Sequence, residues 1–151
     1  VYGGAPGQHL ASLLARELRA GLRRPVDVPS LPTVDGHPAQ QWQLFTTCCA
    51  AYEPEVLVFG VGPFEGDGGP DGGARTTPAQ LRATLAAVRA HAAEHGAVLV
   101  GFATAGVGQE LLDVLREAER DGVALVVAES GEAAAATARR LAETVLPALR
   151  R

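Results

Sequence analysis

"VLVFGVGPFEGDGGPDGGARTTPAQL", residues 56–81, decides the fold. Its first six residues are apolar with no polar alternation, the pattern of a strand covered on both faces. Glycine then takes over, and residues 66–73 form a loop inside the domain. Thr77-Pro78 supplies a capping hydroxyl and a proline suited to the first helical position. Leu81, Leu85, Val88 and Ala92 follow at helical spacing, and Gly96 stands where a left-handed glycine ends a helix. A strand, a loop and a helix in that order make half of a βαβ unit.

The same alternation extends in both directions. Downstream, "AVLVGFA" (97–103) and "VALVVA" (123–128) read as further buried strands, with a helix over 109–122 between them. A last helix is expected from about Gly131 to Leu149, with Ser130 as its N-cap. Upstream, Leu10, Leu14 and Leu18 mark an amphipathic helix over 9–22. Val26 and Val28 suggest a short edge strand confined by Pro25, Pro29 and Pro32. Pro38 opens a helix over 38–51 in which Trp42, Phe45 and Cys49 share one face, with Trp42 read as core. The expected fold is a single α/β domain over 1–151, a three-layer sandwich around a mainly parallel sheet.

One element is short. Only Val1-Tyr2 precedes the turn "GGAPG", whereas strands usually need about five residues. The expectation is a truncated first strand, its remainder supplied by a preceding segment or a partner chain that completes the sheet, or else a different strand order. Direct pairing of 26–28 with 55–61 would exclude the first alternative.

Composition narrows the function classes. The chain has 151 residues, 47% of them hydrophobic and 20% charged, as a globular domain should. Its net charge of −4 and lack of a basic block argue against nucleic acid and anionic membrane as partners. All 13 basic residues are Arg, which with the abundant Ala and Gly points to GC-rich, bacterial coding. Cys48 and Cys49, the only cysteines, read as small core residues on a helix in a reducing, cytoplasmic compartment.

Ligands of open parallel sheets sit beyond the C-terminal ends of the strands. The segments 3–9, 33–40, 62–73 and 104–109 should converge there. Backbone N–H groups at Gly3, Gly4, Gly36 and Gly62 would then be anion or oxyanion donors. His9, His37 and Glu65 are the catalytic candidates, since an imidazole near a carboxylate can serve as general base. Ala5, His37, Phe64 and Glu65 join the glycines as the ligand-binding set. The acidic residues Glu65, Asp67 and Asp71 lack calcium-loop spacing and read as a solvated lid. His91 and His95, four apart on the helix after Pro78, have ligand spacing, but a helix end facing solvent is the favoured reading. No metal and no cofactor are expected.

In layout the chain resembles the SGNH (GDSL-type) hydrolases. "GGAP" before the first helix, "VDGHPAQQW" at the second loop and "YEPEVLVFGVGPFE" at the third carry the resemblance. It implies an SGNH-hydrolase or flavodoxin-like sheet and kinship with esterases and acyl hydrolases acting on a small ester or glycan. It also implies lost chemistry. Ala5 stands at the nucleophilic serine's place, Phe64 at the oxyanion-hole asparagine's, and the late Asp-x-x-His is absent, while Gly36 and Gly62 remain. The expectation is an SGNH-like pseudoenzyme. Two alternatives stay open: a non-catalytic ligand-binding or structural domain of a larger protein, and a flavodoxin-like or nucleotide-binding domain. For the last, "GGAPGQ" lacks the Lys-Ser/Thr of a P-loop.

Overall fold

In the computed structural model, residues 10–30, 37–49, 51–62 and 76–151 are described. Three strands, β1 (Val56–Val61), β2 (Val98–Ala103) and β3 (Ala124–Val127), form a sheet of order β1-β2-β3. Both pairings are parallel, with Val58 beside Val100 and Phe102 beside Val126. Five α-helices accompany them among the described residues: α1 (Leu10–Leu22), α2 (Pro38–Leu44), α3 (Pro78–His95), α4 (Gln109–Arg120) and α5 (Ala134–Leu149). The expected α/β class, with a parallel sheet between two helical layers, is therefore present.

Alternation along the strands builds two cores. Phe59, Val61, Leu99 and Ala103 point to one face, where Leu81, Leu85 and Val88 of α3 and Leu111, Val114 and Leu115 of α4 cover them. Val100, Phe102 and Val126 point to the other, under Leu14 and Leu18 of α1 and Leu141, Ala142 and Val145 of α5. Fully burying each such side chain is worth roughly 1.5–3 kcal/mol, so the sheet is held chiefly by these two layers.

The helix ends follow their sequence signals where those signals are strong. Thr77 Oγ1 accepts from the Gln80 N–H at 3.2 Å, and Gln80 Oε1 accepts from the Thr77 N–H at 2.8 Å. Gly96 ends α3 at φ +67°, a conformation that strains any residue with a Cβ.

Three expectations are corrected. Residues 25–30 form no strand, and Val26 and Val28 instead pack against the core under α1. Flanking prolines withhold ladder donors there, and no described strand lies beside them to pair with. Ser130 does not cap α5. The helix starts after Ala133, and residues 129–132 close a turn of their own. In that turn Glu132 Oε2 accepts from the Glu129 N–H at 2.9 Å, and Gly131 takes φ +77°.

Nor are the cysteines core residues. After α2 the chain widens into a π-helical turn, Phe45–Cys49, which leaves Cys48 exposed and Cys49 half-buried. The hydroxyls of Thr46 and Thr47 both donate to the Gln43 carbonyl, at 2.9 and 2.8 Å. Side-chain donors on that carbonyl compete with the regular backbone bond and favour a wider turn.

Candidate functional site

Parallel strands joined by helices bring every strand-to-helix connection to one rim. At that rim β1 ends at Val61 and passes into Gly62. Thr104 follows β2, and both its backbone N–H and its hydroxyl donate to the Val61 carbonyl, at 3.0 and 3.4 Å. Ala128 follows β3, and its N–H donates to the Ala103 carbonyl at 2.8 Å. The strand ends are thus tied to one another before the chain turns away.

Among the helices that begin at this rim are α2 and α3. α3 runs back along β1 and β2, so Thr76 and Thr77 at its start lie by the end of β1. His37 precedes α2, and its Nδ1 stands 3.2 Å from Thr76 Oγ1. That contact fastens the start of α2 to the start of α3, and it places an imidazole against a hydroxyl. Such a pair is the smallest unit of nucleophile activation, but a working base also needs a third group to orient it. Among the described residues, no carboxylate is hydrogen-bonded to His37.

Of the candidate residues, the structure brings His37 and Gly62 to the same rim. Gly3, Gly4, Ala5, His9, Gly36, Phe64 and Glu65 lie outside the described residues, as do Asp67 and Asp71. Thr76 was missed by sequence reasoning. In "TTP" one threonine suffices as helix cap, and nothing local distinguishes its neighbour as the partner of a residue 39 positions away.

A cleft of about 850 Å³ opens from this rim and runs the length of β1. Pro54 and Glu55 border it at one end and Gly62 and Thr104 at the other. Leu14 and Leu18 of α1 line one side, and Trp42, Phe45 and Val88 another. Trp42 is therefore half core and half cleft wall. Its ring stacks on Phe45 at 5.4 Å, and His91 meets both edge-on, at 5.4 and 5.3 Å.

His91 is accordingly half-buried beneath two aromatic rings rather than turned to solvent, which corrects the expectation for it. His95 is exposed, its ring 4.1 Å from that of His91 and its Nδ1 2.9 Å from the His91 carbonyl. No group of three His, Cys, Asp or Glu side chains able to hold a metal occurs among the described residues. Among the same residues, no helix is long and apolar enough to cross a membrane.

Two ion pairs stand clear of the cleft lining, one between α3 and α4 and one between the β3-to-α5 connection and α5 itself. Arg82 of α3 grips Glu117 of α4 through two bonds of 2.8 Å, and its guanidinium holds that carboxyl below the usual carboxylate range. Glu132 is held low as well, first by the Glu129 backbone N–H and then by Arg140. Neither group faces the cleft.

Comparison with protein-family models, with curated proteins and with solved structures finds no match for this chain.

Proposed function

We propose that this chain is an SGNH-hydrolase-like domain that holds a small ester or glycan ligand at the C-terminal rim of its sheet and performs no acyl-enzyme chemistry there. The observation that carries the reading is Ala5, at the position that the resemblance assigns to the nucleophile. A methyl group cannot attack a carbonyl. The parallel sheet, the glycine after β1 and the imidazole before α2 support the binding half of the reading, because open α/β sheets take ligands beyond their strand ends.

A second reading has one observation in its favour: the His37–Thr76 pair at 3.2 Å. A threonine hydroxyl backed by an imidazole could sustain slow ester cleavage: His37 takes the hydroxyl proton as the Thr76 oxygen attacks the acyl carbon, returns it to the alcohol that leaves as the ester C–O bond breaks, and water then hydrolyses the acyl-threonine.

One experiment separates the two. The wild-type chain and His37→Ala are incubated with p-nitrophenyl acetate and butyrate, and both are melted with a panel of acetylated sugars. The expected result is release of nitrophenol at the buffer rate, with a ligand-dependent rise in Tm that His37→Ala diminishes. Turnover above the buffer rate that disappears in His37→Ala would replace the binding reading by the hydrolytic one. No turnover and no Tm shift with any ligand would remove both, leaving a structural role.

A further inference from the structure

α3 closes on a histidine pair, and the structure gives that pair a setting that its spacing alone does not. His91 and His95 lie four residues apart at the end of a helix that stops at His95. Residues at that spacing are neighbours on one helix face. Their rings are 25° from parallel, with centroids 4.1 Å apart. His95 is exposed and His91 is half-buried.

Each ring is held by contacts of its own. His95 Nδ1 stands 2.9 Å from the His91 carbonyl. A carbonyl only accepts, so Nδ1 carries the hydrogen and donates it. In the neutral ring the lone pair is then on Nε2. Metal-bound histidines almost always donate through their other ring nitrogen in this way, because the bond fixes both tautomer and ring orientation. His91 is held by aromatic rings. Trp42 meets it at 5.4 Å and 75°, and Phe45 at 5.3 Å and 87°. Those two rings stack on each other, one on α2 and the other on the π-helical turn after it. Imidazoles restrained beforehand lose less freedom when they take a ligand.

We propose that His91 and His95 are a two-imidazole anchor for a divalent late transition-metal ion, Zn²⁺, Ni²⁺ or Cu²⁺, with water in its other positions. Imidazole nitrogen suits these ions, whereas magnesium and calcium take oxygen. Two nitrogens on one such ion lie about 3 Å apart. Near-parallel rings with centroids 4.1 Å apart reach that separation by a small rotation of the exposed His95 ring. With two protein ligands, the anchor differs from a structural zinc centre, which is closed by four.

The surroundings favour a cation. The carbonyl end of a helix carries partial negative charge, and His95 is the last residue of α3. Glu94 adds a carboxyl in the same turn. Arg82 and Arg89, also on α3, are turned to Glu117 and Asp121 of α4, while His91 packs on Trp42 of α2. The pair stands near the start of β2 at Val98, at the far end of α3 from Thr76 and His37. The inference is therefore independent of the ligand reading at the other rim.

Trp42 is the chain's only tryptophan and touches the pair, so its emission reports an ion bound there. Ni²⁺, which quenches nearby indoles, is titrated into the wild-type chain, into His95→Gln and into the double variant Cys48→Ser, Cys49→Ser. Zn²⁺ is added separately to ¹⁵N-labelled wild type, and the imidazole nitrogens are followed by NMR. The expected result is saturable quenching, with nitrogens of His91 and His95 shifting together as Zn²⁺ is added. His95→Gln should weaken the quenching by about tenfold or more, since the helix presents the second ligand at high effective concentration. The cysteine variant should leave it unchanged. Imidazole shifts absent at millimolar Zn²⁺, or confined to other histidines, would overturn the proposal. Quenching of undiminished affinity in His95→Gln would do the same, and so would quenching lost in the cysteine variant, which would place the ion on the thiols. The NMR reading uses the wild-type chain and stands even if a variant fails to fold.

Discussion

Thr77 and Gln80 exchange two hydrogen bonds at the start of α3 and satisfy donors that the helix itself leaves unpaired. Thr77→Ala removes the hydroxyl that accepts from the Gln80 N–H and keeps the backbone N–H that donates to Gln80 Oε1. It should cost about 1 kcal/mol, read as a fall in Tm of about 3 °C for a chain of this size. Glu132 and Glu117 make a pH prediction. Both carboxyls titrate lower in the folded chain than in the unfolded one, Glu132 chiefly through the Glu129 N–H and Glu117 chiefly through Arg82. A carboxyl lowered by folding stabilises the protein above its unfolded pKa, and that contribution is lost as pH falls through the folded value. Tm should therefore fall on the acid side of the ordinary glutamate range, and Glu132→Gln should flatten that limb while leaving its neutral-pH slope unchanged. Thermal melts across the acid range check this. The effect is small, because solvent screens exposed pairs.

At the scale of elements, α5 is the helix that both layers of its face depend on. Leu141 is fully buried between α1, the sheet and α5 itself. Leu141→Ala should destabilise the fold by about 2–5 kcal/mol, measured as a shift in the urea midpoint at unchanged slope. The close approach of α1 to α5 has a second source in Gly21, where an added Cβ would come within 2.8 Å of Leu146 Cδ1. Residues 25–30 show the converse. They carry two β-branched valines, yet with no described strand beside them they make no ladder, since a strand exists only in pairing.

For the whole molecule, the parallel sheet places the starts of α2 and α3 and the end of β1 on one rim, and the edge of β1 that pairs with no described strand runs down from it. An unpaired apolar edge invites association, and native proteins usually cover or charge it.

Much of this was legible in the amino-acid order. The runs at 56–61, 98–103 and 124–127, and the leucine spacings of α1, α3 and α4, follow from local periodicity, which each segment carries by itself. Gly96 and Thr77-Pro78 mark their helix ends because left-handed φ and a capping hydroxyl are local demands. The order of the strands, the bonding of His37 to Thr76, the half-burial of His91 under Trp42 and the exposure of Cys48 were decided by tertiary structure alone. Each depends on which distant segment arrives alongside. Periodicity tells a residue which face to bury, but not against what, and pairing energies are realised only when two remote stretches meet.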